Sequence, residues 1–167
     1  KPSEIGVSLS EFFDGKSKFE ERMMLRGQLI RGDEIVANMD ALNEITLQRD
    51  IAARMLSFRV EVDGRDLTSY PADGIIVATP TGSTAYNLSV GGPIVDPRVQ
   101  AIILTAVAPH TLSARPLVLR PDSIIKLKVE TAGDAIVSAD SQSRLHLLSR
   151  DEMRIARSPK STKLLSV

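Results

Sequence analysis

The sequence predicts a mainly β fold, a two-layer sandwich of antiparallel strands with one or two short helices. Two observations lead to this prediction. Apolar and polar residues alternate with the period of two that is typical of half-buried strands, for example over residues 58–62. Turn signals such as Asp63-Gly64 recur at short intervals, as a sandwich requires. The 167 residues fit a single domain over residues 1–167, which can bury about 70% of its unfolded surface without a disulfide or metal.

The first element along the chain is a helix candidate over residues 8–20, which carries Leu9, Phe12, Phe13 and Phe19. We expect the helix itself near residues 8–13. The later segments with a period of two predict strands, most of them separated by turn residues. These strands are expected around residues 23–29, 35–39, 45–47, 58–62, 67–70, 125–129, 135–139, 145–147 and 153–155.

Two continuous apolar runs, residues 75–78 and 101–104, predict strands that are buried on both faces. The segment between them begins at Thr79-Pro80 and ends at Gly91-Gly92-Pro93. Its middle, residues 83–90, has modest helix propensity, with Thr81 or Ser83 available as an N-cap. We therefore expect a buried strand, a tight turn and one short helix in this order.

The composition excludes several classes of function. Basic and acidic residues number 21 each, and a net charge of zero argues against a general nucleic-acid binder. The absence of cysteine excludes a disulfide framework, a thiolate nucleophile and a Cys-ligated metal site. No apolar run approaches the roughly 20 residues that a membrane-spanning helix needs. We expect neither a nucleic acid nor a membrane as partner.

The densest cluster of polar groups follows the first buried run, over residues 79–86. A strand that enters a turn rich in Gly, Ser and Thr before a helix presents unpaired backbone N–H groups, which suit an anion or a polyhydroxylated ligand. Tyr86 offers a flat face for a base. The segment is not a Walker A loop, because no Gly-Lys-Ser/Thr ends it. The alternative interpretation is an ordinary capped helix.

Two further polar groups have an equally plain alternative. Asn43-Glu44 lies at the start of a predicted strand, where the two side chains suit a ligand with vicinal hydroxyls. Asp140-Ser141-Gln142 follows the predicted strand over residues 135–139. Local pattern alone favours a simple turn at both places.

These same residues carry a family resemblance. Residues 73–86, with Leu88-Ser89 and Gly91-Gly92-Pro93, closely resemble the signature of the NAD kinase family. Asn43-Glu44 resembles the Asn-Glu motif of that family at the expected distance upstream, and residues 109–117 resemble the stretch that follows the signature. Asp140-Ser141-Gln142 matches the family's Asp-Gly/Ser-Gln motif. The similarity covers nearly the whole chain, in order.

The resemblance implies an enzyme that phosphorylates the 2′-hydroxyl of the adenosine ribose of NAD to give NADP, using ATP or polyphosphate with Mg²⁺ or another divalent metal. In this family an N-terminal α/β domain carries a Gly-Gly-Asp-Gly motif, which supplies the catalytic Asp and helps hold the phosphoryl donor. This chain has no such motif and resembles only the C-terminal, NAD-binding domain, trimmed at both ends. We therefore expect no catalytic residue and no metal ligand in it, and no activity from it alone. The resemblance also implies a cytoplasmic homo-oligomer, a dimer or a tetramer.

The resemblance assigns roles residue by residue. Asn43 and Glu44 would hold the ribose hydroxyls and the adenine edge, and Asp73 would accept a hydrogen bond from a base or carboxamide N–H. Tyr86 would stack on a base. Ser141 replaces the commoner glycine, and glycine alone takes positive φ freely, so the geometry of that turn is a question for the structure. The full NAD-binding set expected is Asn43, Glu44, Arg54, Asp73, Thr84, Ala85, Tyr86, Asn87, Leu88, Ser89 and Gln142.

Two other functions compete with this one. The first is the C-terminal domain of a related kinase of the lipid or diacylglycerol type, which is also a β-sandwich. Asn43-Glu44 and the Thr-Gly-Ser-Thr-Ala-Tyr run favour NAD over a lipid. The second is a non-catalytic sandwich that binds a dinucleotide, which stays open because the catalytic motif is not in this sequence.

Overall fold

Two six-stranded antiparallel sheets pack against each other in the computed structural model, which describes residues 12–15, 17–50, 55–131 and 133–166. The predicted two-layer β-sandwich is therefore confirmed. Within the described residues no helix is both long and apolar enough to cross a bilayer.

The first sheet contains the long strands at both ends of the described chain. Its longest pair, β1 and β12, is antiparallel and runs from Lys18 opposite Ser166 to Ile30 opposite Glu152. In spatial order the sheet consists of β2 (Glu34–Ala41), β1 (Lys18–Arg31), β12 (Glu152–Ser166), β9 (Ile125–Val129), β4 (Leu56–Val62) and β5 (Arg65–Ala72).

The second sheet holds the two continuous apolar runs at its centre. Its strands in spatial order are β11 (Ser143–Leu147), β10 (Ala135–Ala139), β3 (Glu44–Arg49), β6 (Gly74–Ala78), β7 (Ile102–Val107) and β8 (Leu117–Leu119). All five residues of β6 are buried, as the continuous run predicts. The inner faces of both sheets form one apolar core that includes Leu25, Phe58, Ile45 and Leu127.

The structure corrects the first predicted helix. Residues 8–11 and 16 lie outside the described residues, and Phe12 and Phe13 are helical. The helix does not extend to residue 20, however, because residues 18–20 are the start of β1 and pair with β12. A ladder of backbone hydrogen bonds thus overrides a weak helical pattern. Strand β8 was not predicted, since three residues are too few for periodicity to register.

The second predicted helix, over residues 83–90, is two separate turns instead of one helix. A 3-10 turn covers Thr81–Thr84, and a four-residue helix, α1, covers Tyr86–Ser89. The chain breaks between them at Ala85, whose ψ of −130° is not helical. Neither turn has a side-chain N-cap of its own, so the predicted capping by Thr81 or Ser83 is wrong. The Ser83 hydroxyl instead bonds both backbone groups of Val95.

These two turns cover only part of the outer face of the second sheet. Tyr86 and Val90 pack on Ile76, Ala78 and Ile103, the outward apolar residues of β6 and β7. The outer face of β3, β10 and β11 is left open beside them. The fold therefore places a gap next to the segment that the sequence analysis singled out.

Candidate functional site

The outer face of β3 carries a row of three polar side chains. Ile45 and Leu47 point into the core, so Glu44, Thr46 and Gln48 point outward on the alternate positions. Gln48 donates a hydrogen bond from Nε2 to the hydroxyl of Tyr86 at 3.0 Å. The tyrosine of the signature thus lies along this row as a side wall.

A cavity of about 240 Å³ opens on this face beside Tyr86. Its floor is polar at the centre, where the hydroxyls of Thr46 and Ser138 lie 2.9 Å apart, and apolar at Ile136. An aromatic wall over a hydroxyl-bearing floor fits a ligand with a base and a sugar. The residues lining this cavity are Thr46, Gln48, Arg49, Tyr86, Ile136, Ser138, Ser141 and Arg144.

Asp73 lies on the other side of Tyr86, at the start of β6. Its carboxylate accepts a hydrogen bond from Nε of Arg49 at 2.7 Å. The two residues line a second, more open cavity of about 290 Å³ together with Gln48, Tyr86 and Val107. Tyr86 therefore contacts two adjoining cavities, and the Arg49–Asp73 ion pair lies in the wall of the second.

Glu44 is the most unusual residue of the site, because it is a carboxylate with an exposed fraction of only 5%. Among the described residues its Oε2 atom has no hydrogen-bond partner. Burial raises the pKa of the Glu44 carboxyl, the nearby charge of Asp140 raises it further, and the backbone N–H of Tyr86 lowers it in part. A buried acceptor with an open lone pair is suited to bind a hydroxyl donor.

Close backbone packing fixes Asn43 beside the signature turn. A Cβ atom at Gly82 would lie 2.1 Å from the carbonyl oxygen of Asn43, so only glycine permits this approach. The turn that follows β10 has Asp140 and Ser141 at φ of 47° and 59°. Ser141 thus adopts the left-handed conformation that the family's usual glycine takes freely, which answers the question left by the sequence.

Asn87 does not reach either cavity. Its side chain is fully buried and makes three hydrogen bonds to neighbouring segments. The amide nitrogen donates to the carbonyls of Ser83 and Pro93 at 3.2 Å each, and Oδ1 accepts from the Thr105 hydroxyl at 2.8 Å. Its contact with NAD remains a prediction, and the structure gives its side chain a role in holding α1 on the sheet.

The other predicted site residues lie around the cavities to different degrees. Ala85 is half-buried between the two turns, whereas Thr84, Leu88, Ser89 and Gln142 are exposed. Arg54 lies outside the described residues. Asn43 and Glu44 thus lie at one end of β3 and Asp73 lies beside the other, while Tyr86 meets Glu44 through its backbone N–H and Gln48 through its hydroxyl.

Sequence reasoning missed the residues that form the cavity floor. Thr46, Gln48, Ser138 and Arg144 are polar positions within strands whose apolar partners were used only to predict the strands. Alternation carries the missing signal, since a polar residue between two core residues must lie on the opposite face of its sheet.

No group of three or more His, Asp or Glu residues within the described ranges is placed to hold a metal ion. Mg²⁺ binds through oxygen ligands, usually one or two carboxylates together with substrate phosphates. Glu44 is buried, the Asp140 carboxylate binds backbone amides, and Asp73 is paired with Arg49. These residues do not fit a metal site, and we assign no metal ligand to them.

Comparison with known proteins gives consistent matches. The family model described as the ATP-NAD kinase C-terminal domain matches residues 42–167. An NAD kinase of Caldanaerobacter subterraneus subsp. tengcongensis is 42% identical over 166 residues, which are 99% of this chain and 59% of that protein. The chain thus spans about three fifths of the length of this relative.

Two solved structures share the fold. Yeast NADH kinase complexed with NADH superposes with a TM-score of 0.93 at 32% identity, over 99% of this chain and 49% of that one. An NAD kinase from Archaeoglobus fulgidus in complex with ATP gives 0.80 at 30% identity, over 96% of this chain and 59% of that one. Because the family model matches three quarters of the sequence and the sandwich is shared throughout, the chain belongs to the ATP-NAD kinase C-terminal domain family.

Proposed function

We propose that this chain is the NAD-binding part of an NAD kinase. The whole protein would transfer a phosphoryl group from ATP to the 2′-hydroxyl of the adenosine ribose of NAD and release NADP. Family membership supports this, and so does the likeness to structures that hold NADH and ATP. The observation that carries the proposal is the buried Glu44 carboxylate, which has an unpartnered oxygen and lies two residues along β3 from Thr46 on the cavity floor.

The role of this chain is to position the acceptor. Phosphoryl transfer asks a protein mainly for positioning and charge neutralisation, so a rigid site for the ribose is a large part of catalysis. Glu44 and Asn43 would hold ribose hydroxyls, and Tyr86 would stack on a base. Asp73 would accept an N–H from a base or the carboxamide.

Several parts of the proposal concern the whole protein. The divalent metal expected with ATP, Mg²⁺ or another, would be held by the part of the protein outside this chain. That part would also supply the catalytic base and hold the phosphoryl donor, ATP or polyphosphate. The proposal also includes a cytoplasmic location, a homo-oligomer, and the absence of nucleic-acid and membrane partners. The net charge of zero supports the absence of a nucleic-acid partner.

Calorimetric titration of the full-length protein with NAD tests the proposal. We expect Asn43→Ala and Tyr86→Ala to raise the Kd for NAD roughly three- to a hundredfold, because each loses a hydrogen bond or a stacking contact. Tyr86→Phe keeps the ring and should stay within about threefold. Lys128→Ala, on the exposed face of the first sheet, is the control and should leave the Kd unchanged. If both alanine variants keep the wild-type affinity for NAD but have a much lower melting temperature, the roles of Asn43 and Tyr86 are purely structural.

A further inference from the structure

The backbone before and at the start of β3 is held by one carboxylate. The N–H of Leu42 donates to Oδ2 of Asp140 at 2.7 Å. The N–H groups of Asn43 and Glu44 both donate to Oδ1, at 2.8 and 3.0 Å. Three consecutive amides therefore converge on a side chain almost a hundred residues away in the sequence, in the turn between β10 and β11.

The carbonyls of the same three residues are bound as well. The hydroxyl of Thr79 donates to the carbonyl of Leu42 at 2.6 Å, and its N–H donates to that of Asn43 at 2.8 Å. The N–H of Asp140 donates to the carbonyl of Glu44 at 3.0 Å. Two residues, Asp140 and Thr79, thus bind all six backbone polar groups of residues 42–44.

This arrangement links the three motifs of the site. Thr79 is fully buried and also accepts the N–H of Gly82 through its hydroxyl at 3.0 Å, which ties residues 42–44 to the signature turn. Asp140 holds its position at a φ of 47°, a conformation that costs free energy in residues with a side chain.

We infer that Asp140 and Thr79 are positioning residues for NAD binding, which hold the backbone of residues 42–44 so that the side chains of Asn43 and Glu44 meet the ligand. The inference rests on the proposed function. It adds that affinity for the dinucleotide depends on two residues that do not touch it. Their side-chain oxygens are instead bonded to the backbone of residues 42–44 and of Gly82.

The first sheet contains a control, because Asp63 makes a similar but smaller set of backbone contacts, with an ion pair to Arg120, away from Tyr86. It lies in the β4–β5 turn at a φ of 51°. Its N–H donates to the carbonyl of Ile124 at 2.9 Å, and its carboxylate accepts the N–H of Ile124 at 2.8 Å and the hydroxyl of Ser123 at 3.1 Å. Equivalent substitutions at the two aspartates therefore separate a loss of stability from a loss of positioning.

The experiment measures the Kd for NAD and the melting temperature of the full-length protein. The variants are Asp140→Gly, Asp140→Asn, Asp63→Gly and Asp63→Asn, since glycine and asparagine both tolerate positive φ. We expect Asp140→Gly to raise the Kd about tenfold or more, because it frees all three amides. Asp140→Asn keeps an acceptor for two of them and should raise the Kd by about threefold. Both Asp63 variants should lower the melting temperature comparably while the Kd stays within about twofold.

Thr79 provides an independent pair of variants, which also keeps the inference testable if Asp140→Gly fails to fold. Thr79→Val removes the hydroxyl at nearly constant shape and should raise the Kd about tenfold, whereas Thr79→Ser should restore it to within about twofold. Asp140 and Asp63 variants that lose stability alike while NAD affinity stays at the wild-type value would overturn the inference. A wild-type protein that does not bind NAD would instead overturn the proposed function itself.

Discussion

At the scale of single residues, Glu44 combines two properties that both cost stability. It is buried beside a second acidic side chain, and one of its oxygens lacks a partner within the described residues. Burial and the charge of Asp140 both raise its pKa, so they disfavour the ionised form in the free protein. A ligand that donates hydroxyl groups would favour the ionised form again.

This opposition predicts how NAD affinity depends on pH. As the pH falls through the raised pKa of Glu44, the carboxylate becomes protonated and accepts fewer hydrogen bonds, so NAD affinity should fall. The pKa lies above the ordinary value for Glu, so the fall should begin at a higher pH than for an exposed carboxylate. Titrations with NAD over roughly pH 5 to 8 measure this, and Glu44→Gln is the control because it cannot titrate.

The same variant provides a second readout. A raised folded-state pKa contributes stability that is present at low pH and is lost as the pH rises through it. Glu44→Gln should therefore be at least as stable as the wild type at neutral pH, though weaker in binding. A pH profile that Glu44→Gln leaves unaltered would show that another group controls binding.

Residue-scale prediction from sequence had a clear limit. Asn43, Glu44 and Tyr86 were expected at one site; the structure shows a contact between Glu44 and the Tyr86 backbone N–H, and their joint role in binding stays a prediction. The direction of Asn87 could not be predicted, because helical periodicity needs more than four residues and the chain breaks at Ala85. The three hydrogen bonds of the Asp140 carboxylate could not be predicted either. The residues around Asp140 indicate a turn, but they carry no signal for partners almost a hundred positions away.

At the scale of elements, α1 depends on tertiary contacts for its existence. Four residues are far too few for a helix to be stable by itself in water. Its buried Asn87 connects Ser83, Pro93 and Thr105 through three hydrogen bonds, so this one side chain holds both turns on the sheet. Period-two strands were predicted well because burial of one face maintains their pattern. The 3-10 turn and α1 were not predicted as separate turns, because no local pattern specifies the break between them.

Replacement of Asn87 should therefore destabilise the fold. We expect Asn87→Ala to lower the free energy of unfolding by about 2–4 kcal/mol, because it leaves a buried hydroxyl and two carbonyls without partners. Asn38, whose exposed amide bonds Gln28 at 3.0 Å, is the control, and Asn38→Ala should cost under about 0.5 kcal/mol. Denaturant unfolding measures both. If Asn87→Ala unfolds like Asn38→Ala yet loses NAD affinity, Asn87 contacts the ligand as the resemblance implies.

At the scale of the whole molecule, the sandwich separates stability from binding. The core between the two sheets contains the inward positions of every long strand, whereas the two cavities that Tyr86 lines lie on the outer face of the second sheet. That division explains why alternation predicted the fold class but did not predict which residues form the cavity floor. The outward positions decide the site, and their partners are set by the order of strands, which no local pattern specifies.

The same division predicts that this chain binds the acceptor without transferring phosphate. It spans about three fifths of the length of its relative from Caldanaerobacter, and it contains no Gly-Gly-Asp-Gly motif. Purified chain incubated with NAD, ATP and Mg²⁺ should form no NADP in an enzymatic assay, although calorimetry should still detect NAD binding. Asn43→Ala is the control for the calorimetric signal, because it should weaken or abolish NAD binding. Sustained formation of NADP would place the catalytic base within these 167 residues. Glu44, a buried carboxylate with an unpartnered oxygen, would then be the first residue to test, because a general base must lie within hydrogen-bond reach of the proton that it takes.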